Sequence, residues 1–374
     1  MNEQSTGRHA YEHSGLHEGA NRRYAAGGRL ERAFRKKLAT VLMVMMWVCV
    51  GQFHKAFAEN TGAQVKVAQV DLYDAARQRP VKITIWYPAG QGCDGADACL
   101  AENARLDTGV LLSHGAMGAA RNYNWIGYAL ASKGFVTVGL NHFGESWAYG
   151  TDKIDPTSVT RFWERPQDAR FVLDQLQANT VGGVAILNKA VNWGNVTAIG
   201  HSSGGATVLA LAGAAYDLAR AKPYCQTEAA KADKSCGYIA RRKGKNGEAP
   251  KSMPSFKDSR VKKLILLDPA LGHMAVAESL RAIGIPVLLV GSRNNDFLPF
   301  ETHAGFYAGT LPNSTKVFLT GDEGHFVYMD RCDHSYEAMG VSLCKDKAGV
   351  NRDAVHGRLY PAIFRHLFTP APRR

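Results

Sequence analysis

Six short, continuous apolar runs separated by stretches of helical length set the strongest limit on how this chain folds. They are 107–115 (DTGVLLSHG), 134–142 (GFVTVGLNH), 195–202 (NVTAIGHS), 261–268 (VKKLILLD), 285–292 (IPVLLVGS) and 314–321 (STKVFLTG). Runs of this length without polar alternation suit strands buried on both faces of a parallel sheet. Ahead of them, 64–74 (QVKVAQVDLYD) and 80–88 (PVKITIWYP) alternate as half-buried strands do, and a short polar turn joins them as an antiparallel hairpin. Helical patterns fall at 122–134, 165–177, 203–216, 299–311 and 357–368. Strand, helix, strand in repetition requires parallel strands with right-handed crossovers. The expectation is one α/β domain over about 62–370, with an eight-stranded, mostly parallel sheet and helices on both faces.

Residues 1–58 stand outside that pattern. A polar, Arg- and Gly-rich lead is followed by Arg35, Lys36 and Lys37, then by an apolar run from Leu38 to Val50, then by small residues at Ala56 and Ala58. Thirteen apolar residues are too few to cross a bilayer core, and the layout is that of a secretory signal cleaved after Ala58. The expected organisation is an N-terminal extension and signal peptide over 1–58 and a mature domain over 59–374, exported to the periplasm or the medium.

Export makes disulfides possible. Without Cys49 six cysteines remain, in three close pairs within polar stretches, and the expected bridges are local: 93–99, 225–236 and 332–344. No pair has the C-x-x-C spacing of a zinc site.

The chain carries a formal net charge of +12. Nine Lys/Arg against four Asp/Glu in residues 1–58 leave +7 on the rest, much of it in a basic insertion at about 220–260, densest over 231–260. Such a segment reads as a solvated loop, with weak contact to anionic envelope surfaces as its possible use. No zinc finger, RNA-binding signature or aromatic-spaced basic stripe points to nucleic acid.

The chemistry-bearing motif is Gly200-His201-Ser202-Ser203-Gly204, which fits G-x-S-x-G between a strand and a helix. A sharp turn there exposes the Ser202 hydroxyl above the sheet, with glycines at 200 and 204 relieving clashes. Ser203 opens the helix and offers its backbone N–H to an oxyanion. A serine hydroxyl needs a base, and His325 follows the last strand closely, at the end expected to face Ser202. The imidazole needs a carboxylate. Asp296, beyond the seventh strand, is the first choice and Asp268, ending the sixth, the alternative; the other would cap the adjacent loop. The second oxyanion donor is expected from the loop after the third strand, SHGAMGAA, at the backbone N–H of Ala116, or else of Met117. Trp147, Tyr149 and Trp163 are candidates to line an acyl pocket. Nothing in these motifs requires a metal or organic cofactor.

Taken together, residues 111–146, AIGHSSGGATVL, LLDPALG and GHFVYMDRC resemble the α/β-hydrolase superfamily. Within it they are most similar to the group of secreted bacterial lipases, cutinase-like polyester hydrolases, dienelactone-hydrolase-like proteins and plasma platelet-activating-factor acetylhydrolase. The resemblance covers about 64–368 apart from the basic segment, and implies the α/β-hydrolase fold. Its members place the acid differently: after strand 6 in the acetylhydrolase type, matching Asp268, and after strand 7 in the lipase and cutinase type, matching Asp296. The nucleophile is serine rather than the cysteine of true dienelactone hydrolases.

The expected function is hydrolysis of a carboxylic ester, small-molecule or lipid-like, through a Ser-His-Asp triad and an acyl-enzyme. The alternatives are acyl transfer to another alcohol by the same triad, or non-catalytic binding of envelope polyanions through 231–260.

Overall fold

The computed structural model describes residues 64–370 except 94, 241–252, 334 and 335. The expected signal segment and the middle of the basic insertion lie outside the described residues.

The eight expected strands form one sheet: β1 (Val65–Asp74), β2 (Arg79–Pro88), β3 (Gly109–Ser113), β4 (Val136–Asn141), β5 (Val196–His201), β6 (Val261–Leu267), β7 (Val287–Ser292) and β8 (Ser314–Leu319). Their order is β1-β2-β4-β3-β5-β6-β7-β8. β2 pairs antiparallel with both β1 and β4, and every other pairing is parallel. A sheet so ordered, with a sharp strand-to-helix turn after β5, is the α/β-hydrolase fold.

The period of two along each strand divides the core. Leu111, Leu264, Leu266, Val287 and Leu289 point to one face, where they meet Val172 and Leu176 of α2 (Glu164–Ala178), Val208 of α3 (Ser203–Ala212) and Tyr307 of α4 (Ala304–Thr310). Val110, Leu112, Ile265, Leu288 and Val290 point to the other, against Ile126 and Leu130 of α1 (Asn124–Ser132) and Leu359 and Ile363 of α5 (Arg352–Phe368). Continuous apolar runs follow directly from a sheet covered on both sides, since neither set of alternating positions meets water.

Helix ends differ from the sequence expectation where caps decide them. α3 stops at Ala212, four residues early, because Gly213 adopts φ 110° and its amide closes on Ala210. α5 begins at Arg352, five residues early, with the Asn351 side chain accepting the Ala354 amide at 3.1 Å. α4 loses its expected first turn: the Pro299 carbonyl accepts from both Thr302 and His303 in tight turns instead. At the far end of α5, the Lys263 ammonium of β6 donates to the carbonyls of His366, Leu367 and Thr369, neutralising that helix terminus.

All three expected disulfides are formed: Cys93–Cys99, Cys225–Cys236 and Cys332–Cys344. Among the described residues no helix is long and apolar enough to cross a membrane. Two minor sheets, Ala96–Ala98 with Thr180–Val181 and Val184–Leu187, and Glu337–Ala338 with Val341–Ser342, have strands too short to show a period in sequence.

Candidate active site

β5 ends at His201 and α3 starts at Ser203, so Ser202 alone turns the chain, at φ 54° and ψ −121°. A residue with a side chain is strained there, and the turn closes only because its neighbours are glycines. A Cβ on Gly200 would stand 2.2 Å from the Gly204 carbonyl oxygen, and one on Gly204 2.0 Å from that of Ser113. The Ser202 amide donates to Leu267 and its carbonyl accepts from Ala270, which ties the turn to the exit of β6.

Ser202 and His325 line one cavity of about 800 Å³. His325 opens a short 3-10 turn, His325–Tyr328, just after β8. Its ring stacks on Phe297 at 5.3 Å and 12°. Its Nε2 is buried and has no hydrogen-bond partner among the described residues, so the Ser202 hydroxyl is not joined to it. Burial pushes the imidazole down to about 3, so the ring is neutral and able to accept a proton.

The two candidate carboxylates play different parts. Asp296, preferred from the sequence, is turned to the main chain: its Oδ1 accepts the His325 backbone amide at 2.9 Å. Gly324 packs directly on that carboxylate, where a Cβ would stand 2.6 Å from Oδ2. Asp268 instead faces the ring, with Oδ2 3.8 Å from His325 Nδ1. Burial pushes the Asp268 carboxyl up to about 7, against the pull of the Ser292 amide at 2.8 Å and the Asn295 side chain at 2.9 Å.

Asn295 was not foreseen. Its Oδ1 accepts the amides of Phe297 and Leu298, which leaves Nδ2 facing both Asp268 Oδ2 and, at 3.2 Å, His325 Nδ1. The run Asn294-Asn295-Asp296 held the signal, because an Asx turn beside a strand exit fixes which way the amide points.

The possible oxyanion donors separate as well. Ala116 N–H makes no hydrogen bond among the described residues, whereas Met117 N–H is directed to Glu145 Oε2 at 3.4 Å. Ser203 lies at the first position of α3, at the positive end of its dipole.

Two further groups hold this machinery, and the sequence reading assigned neither. His201 donates from Nε2 to the His325 carbonyl at 3.0 Å and accepts at Nδ1 from Tyr123 OH at 2.7 Å, while that hydroxyl accepts the Gly115 amide. One chain of bonds thus joins the Ser202 turn, the His325 loop and the loop after β3. Beneath that last loop, Arg165 pairs with Glu145 at 2.7 Å, both fully buried, and donates to the carbonyls of His114 and Gly115. Ser113, His142 and Asp168 form a second relay, at 2.9 and 3.0 Å. All three are fully buried and none lines the cavity, so that relay ties the ends of β3 and β4 to α2 and does not face the cavity.

Of the aromatic residues expected at the pocket, Trp147 lines the cavity. Tyr149 instead uses its hydroxyl on the backbone of Lys82 and Asn141, and Trp163 is packed in the core. Tyr123, Tyr238, Phe297, Phe326 and Tyr336 add to the aromatic wall, with Met117 and Met339. The loop closed by Cys332–Cys344 forms one side, held by Arg352 through the carbonyls of Asp330 and Leu343.

No family model matches the chain, and no curated protein matches it. Among solved structures, a ferulic acid esterase from Streptomyces cinnamoneus is 20% identical, with 72% of this chain and 77% of that one covered and a TM-score of 0.43.

Proposed function

We propose that this chain is a serine hydrolase that cleaves carboxylic esters of small-molecule or lipid-like substrates, with Ser202 as nucleophile, His325 as base and Asp268 as acid. The observation that carries the reading is the strained Ser202 turn opening into the cavity that His325 also lines, with the other ring nitrogen of His325 turned to a buried carboxylate. Folding alone requires none of the three in that relation.

In the proposed reaction the Ser202 hydroxyl attacks the ester carbonyl and gives its proton to His325 Nε2. The Ala116 and Ser203 amides hold the oxyanion, in a site where buried donors act strongly. The imidazolium passes the proton to the departing alcohol, and a water deprotonated by the same nitrogen releases the acid. Asp268 stabilises the imidazolium once the ring moves toward it by ~0.8 Å, to ordinary hydrogen-bond distance. The Nδ1–H tautomer this requires replaces the contact with Asn295, whose amide remains bonded to Asp268. Catalytic hydrogen bonds that tighten only with substrate bound are common in such sites.

The apolar, aromatic wall of the cavity supports an uncharged substrate. Three disulfides fit an oxidising compartment, and with the leader they support export to the periplasm or medium. The test is active-site labelling: the purified protein should react stoichiometrically with a fluorophosphonate probe and lose that reaction as Ser202→Ala. A folded protein that fails to label overturns the assignment.

A further inference from the structure

Outside the proposed triad, three metal-ligating side chains from separate parts of the chain converge. Asp233 lies in the loop closed by Cys225–Cys236, His273 follows β6, and His303 precedes α4 after β7. One donor atom from each lies within 4.8 Å of the other two. Asp233 and His303 are buried at 4% and 1% exposure.

His273 is the unexplained member. Its ring stacks on Tyr224 at 4.4 Å and stands edge-on to His303, yet among the described residues neither of its buried nitrogens has a hydrogen-bond partner. A neutral imidazole carries one N–H donor and one lone pair, and leaving both unmet inside a protein is unfavourable. The other two members are already oriented as ligands are. Asp233 Oδ1 accepts from the amide and hydroxyl of Ser235, and its Oδ2 accepts from Tyr224 OH and faces His303 Nε2 at 2.7 Å. The same kind of outer hydrogen bonds fix first ligands in known metal sites.

We propose that Asp233, His273 and His303 form a three-ligand site for a zinc-type divalent ion that pins the Cys225–Cys236 loop to the exits of β6 and β7. Two imidazoles and a carboxylate suit Zn²⁺, with water as fourth ligand. The ion takes the place of the proton between His303 Nε2 and Asp233 Oδ2, and that ring keeps its other proton position at Nδ1, giving up the long 3.3 Å bond from the Gly272 amide. Tetrahedral coordination at about 2.0–2.1 Å sets donors ~3.3 Å apart, so the His273 ring closes by up to ~1.5 Å. Among the described residues no hydrogen bond to its nitrogens resists that movement. The role is structural: Ser235, Tyr238 and His273 line a small cavity of about 40 Å³ together with Ser202 and Phe297, and the ion fixes that wall.

The test uses full-length protein freed of metal by chelation, titrated calorimetrically with Zn²⁺ and spectroscopically with Co²⁺. The expected result is one equivalent bound with a Kd of ~1 μM or tighter, a rise in Tm with zinc, and a tetrahedral Co²⁺ spectrum. His273→Phe keeps the stack on Tyr224 and removes both nitrogens; it should weaken binding by at least ~30-fold while leaving the metal-free Tm unchanged or higher. Failure of the wild type to bind one equivalent at ~100 μM zinc overturns the site. So does undiminished binding by a folded His273→Phe.

Discussion

His325 Nδ1 faces Asp268 Oδ2 at 3.8 Å, beside the amide of Asn295, whereas Asp296 is hydrogen-bonded to the His325 backbone amide and acts on the ring through its charge alone. The two carboxylates therefore have separable effects. Asp268→Asn should cut kcat by ~10²–10⁴ by leaving the imidazole in the wrong tautomer. Asp296→Asn keeps an oxygen for the His325 amide and should cost less than ~10-fold. Kinetics on a soluble p-nitrophenyl ester separate the outcomes; a larger loss at Asp296 would restore the preference drawn from sequence.

The adjacent serines divide in the same way. Ser202→Ala should lower turnover by ~10⁴ or more, while Ser203→Ala, which keeps its amide, should stay within about threefold of wild type. A severe loss in Ser203→Ala would mean that its hydroxyl contributes and that the division is wrong.

The pH dependence follows from two opposite shifts. Burial holds His325 neutral down to about 3 and raises Asp268 to about 7. Since the ionised carboxylate is the form that supports the imidazolium, kcat/KM should fall as pH drops through about 7. Asn295→Ala removes a hydrogen bond to the charged form and should move the limb upward. A limb unmoved in Asn295→Ala would show that Asn295 does not act on Asp268.

Gly204→Ala tests the backbone origin of the Ser202 turn. Its Cβ would stand 2.0 Å from the Ser113 carbonyl oxygen, a backbone atom that cannot step aside without moving β3. The variant should lose ~3 kcal/mol or more of stability, seen as a lower denaturant midpoint or lost soluble protein. Wild-type stability in this variant would show that the turn has room to relax.

Arg165→Met should leave Glu145 as an uncompensated buried charge and destabilise the chain by about 3–5 kcal/mol. Because Arg165 also holds the carbonyls of His114 and Gly115, surviving protein should show a lowered kcat with little change in KM. Denaturation and steady-state rates measure the two effects; an unchanged kcat would detach the pair from the oxyanion loop.

The order of elements was legible in the sequence because each strand and most helices carry their own period: eight apolar runs and a strand-to-helix serine turn are local signals. Ser202, His325, the Ala116 and Ser203 amides and the three short-range disulfides could likewise be proposed from neighbours in sequence. The relation between Asp268 and Asp296 could not. Both follow strands at the same end of the sheet, and which one reaches the imidazole depends on the Asn295 turn, on Gly324 packing against Asp296, and on a left-handed residue at Asp268, φ 41°. The same holds for Arg165 with Glu145, and for Asp233, His273 and His303, whose members are twenty or more residues apart and meet only after the sheet is assembled. Periodicity records which face a residue occupies; the direction of a side chain within a loop is set by hydrogen bonds to partners that only tertiary structure brings near.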